Sequence, residues 1–212
     1  MGGVEDRRFE VGLAHLHRYV AVHGSSSPPR GVRIDGFPID VWVASRRTDY
    51  RKGRLSAERI ARLADRPEPA RTVTFPAWGR FFYDLEQRED SGMPVYHVRQ
   101  RTPSSAVIVY LHGGGYIATA VSAHAWLVDH LARRTGADVV MPLYPLTPHH
   151  TWQEAHRLVL DLYRRAVAGN PGKRIVLMGD SSGGGLAAVI ALSLAEAGDA
   201  QPDELALISP WV

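Results

Sequence analysis

The chain contains no cysteine, which excludes disulfides, thiol chemistry and any cysteine-ligated metal site. No apolar run approaches the ~18 residues that a spanning helix needs, so we expect no membrane span. The first residues are polar and charged, which argues against a secretory signal and favours a cytoplasmic protein. No Gly-Lys-Ser/Thr sequence and no His/Asp cluster at ligand spacing is present. We therefore expect no P-loop, no metal and no cofactor.

The net charge of +3 is unevenly distributed along the 212 residues. Residues 1–72 contain 14 Lys and Arg against 9 Asp and Glu, whereas the remaining residues contain 11 against 13. This asymmetry predicts two modules, the first of which could contact a polyanion.

Three short helices are predicted in the first module, residues 1–66. Apolar residues recur at helical spacing in residues 10–22, 39–47 and 56–63. Gly24 to Pro29 breaks the first helix, and Ser56 is a good N-cap for the third. Prolines in residues 67–79 predict a linker.

The pattern changes at residue 80 to strands alternating with helices. Residues 81–86 and 93–99 flank a turn-like Glu-Asp-Ser-Gly cluster, which predicts a hairpin. Apolar strands are then separated by helices, which predicts an α/β fold with a mostly parallel sheet and helices on both faces, preceded by an all-α module. The predicted strands are 106–111, 137–143, 174–178 and 204–208, and the predicted helices are 122–135, 151–168 and 183–197.

The sequence Gly179-Asp180-Ser181-Ser182-Gly183 follows a buried strand and precedes a long apolar helix. A serine hydroxyl needs a strained turn to aim it, and that turn requires tiny residues two positions before and after the serine. Gly179 and Gly183 satisfy this requirement. The alternative, a glycine-rich turn with an inert serine, fits this context less well.

A second glycine run, His112-Gly113-Gly114-Gly115, follows the strand 106–111. Consecutive glycines let backbone N–H groups face a cleft, as in an oxyanion hole. We interpret His112 as a structural hydrogen-bonding residue rather than a base.

From about residue 73 onward the chain resembles the hormone-sensitive-lipase-like esterases of the α/β-hydrolase fold. The resemblance rests on three stretches: residues 112–116, Tyr144-Pro-Leu-Thr-Pro148 and residues 179–184. It implies that Ser181 is the nucleophile and that short acyl esters are the substrates. It further implies an oxyanion hole formed by the N–H groups of Gly114, Gly115 and Ser182. It also implies an acyl pocket near Tyr116 and Trp211.

The expected acid and histidine of a catalytic triad are missing after Ser181. In this fold they follow the serine in chain order, but all ten histidines lie between residues 15 and 156. The later acids are predicted at the far side of the sheet; they are Glu196, Asp199, Asp203 and Glu204. We therefore expect a C-terminally truncated domain of doubtful activity, unless His124, His149 or His150 replaces the base. Its exposed last strand could favour oligomers.

A dinucleotide fingerprint is the competing interpretation of the glycines that follow Ser182. Gly183, Gly185 and Ala188 have its spacing, but the required acid should end the next strand, and Asp203 begins it. This interpretation also leaves the glycines after His112 unexplained.

Residues 9–66 resemble the bacterial helicase-associated domain. The matching residues include Trp42, Tyr50, Gly53 and Leu55 together with paired arginines. The resemblance implies weak nucleic-acid contact through five cations, Arg46, Arg47, Arg51, Lys52 and Arg54. Three alternatives remain open for this module: a solvated basic helix face, a lid over the esterase site, and the remnant of a gene fusion.

Overall fold

The computed structural model describes residues 3–23, 28–64 and 73–211. The chain divides into two compact units, a helical unit, Met1–Ala70, and a sheet unit, Arg71–Val212. Residues 67–72 of the predicted linker and residues 24–27 of the predicted break lie outside the described residues. Residues 77–81, the end of that predicted linker and the start of the predicted hairpin, form a 3₁₀ helix (Ala77–Phe81).

The helical unit contains three helices and a small hairpin. Helices α1 (Gly3–His23), α2 (Ile39–Arg51) and α3 (Ala57–Ala64) correspond to the three predicted ones. Between α1 and α2 lies an antiparallel pair, β1 (Arg33–Ile34) and β2 (Phe37–Pro38). The first module is therefore helical, as predicted, and this two-residue pair is an addition that the sequence analysis did not include. The turn residues Asp35 and Gly36 both have positive φ, as a tight two-residue hairpin turn requires.

The core of the helical unit is formed where α1 packs on α2. Leu16, Tyr19 and Val20 of α1 are buried against Ile39 and Val43 of α2. Trp42 packs over Gly12, where a Cβ atom would overlap its ring. The tryptophan and its neighbours therefore serve as packing groups.

The sheet unit contains six strands in the order β3-β4-β6-β5-β7-β8. The first pairings, β3 with β4 and β4 with β6, are antiparallel, and the other three are parallel. The elements in chain order are β3 (Tyr83–Asp90), β4 (Met93–Gln100), β5 (Ala106–Leu111), α4 (Ser122–Thr135), β6 (Asp138–Pro142), α5 (Trp152–Ala168), β7 (Arg174–Asp180), α6 (Ser181–Ala197) and β8 (Glu204–Ile208).

Helices cover both faces of this sheet, as predicted. Every residue of β5 is buried, and alternate residues point to opposite faces. Val107, Val109 and Leu111 pack on the face covered by α5 and α6, whereas Ile108 and Tyr110 pack on the α4 face. This two-sided burial explains the continuous apolar strand sequences. The parallel pairing of β5 with β7 places the carboxyl ends of these two strands side by side at one edge of the sheet.

Candidate active site

The predicted nucleophile lies at a strained strand-to-helix turn. Ser181 is the first residue of α6 and has φ +49°, a value that L-residues rarely adopt. The turn brings the backbone of the two flanking glycines into close contact. A Cβ atom at Gly179 would overlap the Gly183 carbonyl, and one at Gly183 would overlap the carbonyl oxygens of Leu111 and His112. Neither position therefore has room for a side chain.

The two glycine-rich turns are joined by hydrogen bonds. The Gly113 N–H donates to Asp180 Oδ1 at 2.9 Å, and the Gly115 N–H donates to Ser182 Oγ at 2.9 Å. A Cβ atom at Gly113 would overlap the Asp180 carboxylate. The loop after β5 is thus fixed to the turn after β7 at two points.

Two neighbouring serines therefore have different surroundings. Ser182 is fully buried and its hydroxyl accepts the Gly115 N–H. Ser181 is exposed, and its hydroxyl has no hydrogen bond within the described residues. Of the two, Ser181 is the one that a substrate could reach.

The three N–H groups predicted for the oxyanion hole differ in their availability. The Gly115 N–H is engaged by Ser182. The Gly114 N–H bonds no acceptor in the described part of the chain, and Gly114 has φ +136°, next to Ala118. The Ser182 N–H lies in the first turn of α6, where N–H groups have no intrahelical acceptor. The Gly114 and Ser182 donors thus have the freedom that an oxyanion hole requires.

Asp180 is the electrostatic centre of the turn, and its partners could not be predicted from spacing alone. The Tyr110 hydroxyl donates to its Oδ1 at 2.6 Å, and His124 Nε2 lies 3.7 Å from Oδ2. His124 Nδ1 accepts the Val121 N–H, so its proton is on Nε2, which faces the carboxylate. Burial raises the pKa of Asp180, but these hydrogen bonds and that of Gly113 outweigh it and lower the pKa to about 2.

His112 is held by contacts inside the loop after β5. It is fully buried, its Nδ1 contacts the Gly113 carbonyl at 2.7 Å, and its ring stacks on Tyr144. Burial lowers the pKa of His112 to about 4, so the ring is neutral near pH 7. The Tyr144 hydroxyl donates to the His112 carbonyl and thereby links the Tyr144–Pro148 stretch to the loop after β5.

The two aromatic residues predicted for the acyl pocket lie beside each other. The ring centroids of Tyr116 and Trp211 are 6.2 Å apart, and the backbone N–H of Trp211 donates to the Ser181 carbonyl at 2.9 Å. Tyr116 has φ +60° and its carbonyl accepts the Thr147 N–H, which ties it to the Tyr144–Pro148 stretch. Both rings therefore border the turn that holds Ser181.

The histidines considered as a replacement base make other contacts. His124 faces Asp180, and His150 Nδ1 lies 3.0 Å from Glu154. His149 is exposed after β6. None of the three bonds the Ser181 hydroxyl within the described ranges.

The four acids after Ser181 lie at the opposite end of the sheet or near it. Asp203 accepts the Ile175 N–H at the start of β7, whereas Ser181 follows the end of that strand. Asp199 pairs with Arg164 and Glu204 with Arg174, and Glu196 is next to the end of α6. The prediction that these acids are remote from the serine agrees with this placement.

The glycines that suggested a dinucleotide fingerprint have another explanation. Gly183 packs on the backbone of β5, and a Cβ atom at Gly185 would overlap the Trp211 carbonyl. Both are small because backbone lies against them.

Within the described ranges there is no cluster of three or more His, Asp or Glu residues that could hold a metal, and no helix long and apolar enough to cross a bilayer.

The five cations predicted to contact nucleic acid lie at the end of α2 and just beyond it. Arg46 pairs with Asp49 at 2.8 Å and stacks over Trp42, and Arg51 Nε donates to the Arg47 carbonyl. Lys52 and Arg54 are exposed. Three of the arginines, Arg46, Arg47 and Arg51, border a groove of about 680 Å³ whose floor includes Leu16, Trp42 and Leu63.

Comparison with known proteins identifies both units. Residues 108–212 match the family model of the alpha/beta hydrolase fold, and residues 6–65 match that of the helicase associated domain. The sheet unit therefore has the α/β-hydrolase fold and is similar to esterases and lipases, and the helical unit is similar to the helicase associated domain. Both resemblances inferred from the sequence are confirmed.

Individual relatives agree with this assignment. An esterase of Acinetobacter venetianus is 31% identical over 123 residues, which is 58% of this chain and 41% of that protein. The ethyl acetate hydrolase of Pseudomonas putida is 34% identical over 120 residues, covering 52% and 38% of the two chains. The crystal structure of EstE7, a hormone-sensitive lipase homologue from a metagenome library, matches with a TM-score of 0.58 at 33% identity, over 65% and 47%. The chain thus spans about two fifths of the length of these curated relatives.

Proposed function

We propose that the sheet unit hydrolyses small carboxylic esters, with Ser181 as nucleophile. The observation that carries this proposal is the exposed Ser181 hydroxyl at a positive-φ turn, together with the Gly114 and Ser182 N–H groups, for which the described residues provide no acceptor. Attack of the hydroxyl oxygen on the ester carbonyl would form a tetrahedral intermediate and then an acyl-serine, releasing the alcohol. Water would then release the acid and restore the serine. The relatives described above as esterases support this reaction class.

The oxyanion of the intermediate is held, in this proposal, by backbone N–H groups. Gly114 and Ser182 donate first, and Gly115 contributes if it exchanges its bond to Ser182 Oγ for one to the substrate. Donors that are fixed in advance stabilise developing charge without reorganisation, and removing one typically costs about 10²–10³-fold in rate. Tyr116 and Trp211 would contact the acyl group from one side of the turn.

No histidine bonds the Ser181 hydroxyl in the described part of the chain, so the proposal requires one of the chain's own histidines to approach it when the substrate binds. Without a base, oxyanion binding alone leaves about 10³–10⁴-fold acceleration over water in other triad enzymes. Asp180 and His124 act in this scheme as positioning residues, since both orient the turn and neither contacts the Ser181 hydroxyl.

The test is hydrolysis of p-nitrophenyl acetate by the purified chain and by Ser181→Ala. The matched control is Ser122→Ala, an exposed serine at the start of α4. We expect turnover that disappears in Ser181→Ala and persists in Ser122→Ala. Adding His124→Gln asks whether this residue acts as the base; as a positioning residue, it should reduce the rate less than Ser181→Ala does. Equal rates for the wild type and Ser181→Ala would refute the proposal.

A second proposal concerns the helical unit, for which we infer a weak, sequence-independent contact with nucleic acid. The observation that favours it is the crowding of cations at the end of α2 and just after it, in a unit that matches the helicase associated domain. Side-chain cations that neutralise phosphates give an affinity that falls steeply with salt. Binding of a labelled DNA duplex at increasing NaCl tests this, and an affinity that does not change with salt would refute it.

A further inference from the structure

A second cavity lies on the face of the sheet that α5 covers. Its volume is about 730 Å³, and it runs from the last residues of β3 along β4 to the starts of β5 and β6 and the end of α5. Its lining includes no residue of the two glycine-rich turns around Ser181. Five cationic side chains and two carboxylates line the cavity; they are Arg88, Arg99, Arg101, Arg165 and Lys173, and Asp90 and Asp138.

Both carboxylates are already used by cations of the same lining. Lys173 Nζ lies 2.8 Å from Asp138, and Arg165 Nε lies 3.2 Å from Asp90. Among the described residues, Arg88 pairs with Glu86 at 3.9 Å and Arg101 with Asp84 at 3.3 Å, two acids outside the lining, whereas Arg99 has no ion pair. Within the lining itself, the five cations therefore outnumber the two carboxylates.

A buried histidine without a partner belongs to the same lining. His97 of β4 is 7% exposed, and its Nε2 has no hydrogen bond in the described part of the chain. A buried polar atom left unpaired costs about 1–3 kcal/mol, so a partner that entered the cavity and bonded this nitrogen would recover that free energy. Burial, and then Arg88 and Arg99, lower the pKa of His97 to about 4, so the ring is neutral at pH 7 and still carries one N–H.

We propose that this cavity is a binding site for a phosphate-type anion, such as the phosphate group of a small metabolite. The planar guanidinium groups of Arg88 and Arg99 match the geometry of phosphate oxygens, and the excess charge suits an anion that carries more than one charge. The cavity is large enough for a small molecule rather than a single ion. The ligand is distinct from an ester bound at Ser181, so the site does not depend on the proposed esterase activity.

The test is isothermal titration calorimetry of the whole chain with inorganic pyrophosphate at low ionic strength, with inorganic phosphate and acetate in parallel arms. We expect saturable binding of pyrophosphate, weaker binding of phosphate and none of acetate. Arg99→Gln and Arg88→Gln should each weaken pyrophosphate binding about tenfold, as expected for losing a hydrogen bond to a charged group. The matched control is Arg134→Gln, which removes an exposed arginine of α4 outside the cavity.

The cations of the helical unit require their own control, since they too could bind an anion. Lys52→Gln/Arg54→Gln should leave the stoichiometry and the Kd for pyrophosphate unchanged. Thermal melts establish that each variant is folded before it is titrated. The proposal is overturned by no binding to the wild type, by acetate binding as tightly as pyrophosphate, by equal weakening in Arg134→Gln, or by loss of binding in the helical-unit variant.

Discussion

The sheet unit and the helical unit present their candidate binding groups in opposite ways. At the edge of the sheet the groups are backbone N–H donors, set in place by glycines that pack on neighbouring backbone. In the helical unit they are long cationic side chains such as Lys52 and Arg54, which lie exposed at the surface. The site in the sheet unit consists of backbone N–H groups, and we call it the backbone-made site. The site in the helical unit consists of charged side chains, and we call it the charge-made site.

This difference predicts how each site responds to substitution. A backbone-made site tolerates no added side chain, because the backbone atoms that the side chain would meet cannot move unless the surrounding fold changes. A charge-made site should lose affinity gradually, since each solvated cation contributes a similar, screened amount. The predictions below test this contrast, from the largest expected effect to the smallest.

Gly183→Val should have the largest effect and unfold much of the sheet unit. Its side chain would overlap the Leu111 and His112 carbonyl oxygens, and we expect a loss of about 3 kcal/mol or more in the free energy of unfolding. The matched control is Gly198→Ala at the end of α6, where φ is +69° but the space is open, with an expected loss of about 1–2 kcal/mol. Urea denaturation measures both, and similar losses would contradict a backbone-made site.

Asp180→Asn should have an intermediate effect that depends on pH. The folded-state pKa of Asp180 is lowered to about 2, so its carboxylate stabilises the fold above about pH 4, and this contribution disappears as the pH falls toward 2. An amide can still accept from Gly113 and Tyr110 but loses the charge that faces His124. We expect the variant to be about 1 kcal/mol less stable at pH 6.

The difference between the wild type and Asp180→Asn should narrow from pH 4 to pH 2, as measured by denaturation across that range. Asp199→Asn, which removes an exposed carboxylate paired with Arg164, is the control for the loss of an acid elsewhere. A difference that is constant with pH would mean that the low pKa assigned to Asp180 is wrong.

Lys52→Gln/Arg54→Gln should have the smallest effect, confined to DNA binding. Each lost phosphate contact should reduce the salt slope by about one without altering the fold. Arg7→Gln/Arg8→Gln removes the same charge from an exposed part of α1. If both pairs reduce the slope equally, net charge alone explains binding, and the end of α2 forms no localised site.

Much of the sheet unit could be predicted because its signals are local. The predicted limits of β5, α4 and β8 coincide with the structure, since the two strands are short, mostly apolar runs with turn residues beside them and the helix has an amphipathic period. The hairpin was placed correctly, but its turn was drawn too long. Ser91 and Gly92 both have positive φ and form the turn alone, so Glu89 and Asp90 stay in β3.

Other features depend on tertiary contacts or on very short elements. The pair β1 and β2 has two residues per strand, too few for any periodicity to be read. The roles of Tyr110 and His124 beside Asp180 arise only when β5, α4 and β7 come together. The use of the Gly115 N–H by Ser182 was likewise invisible, because sequence spacing identifies a donor but not the acceptor that already holds it.

The two bonds between the glycine-rich turns also bear on how the site is assembled during synthesis. Both join residues 67 positions apart, so neither can form until the ribosome has reached the start of α6. At roughly 5–20 residues per second, the loop after β5 waits several seconds for Asp180 and Ser182. Until then the loop has only its local hydrogen bonds, such as that from the Ile117 N–H to the Gly114 carbonyl, so the donors acquire their final positions late and together.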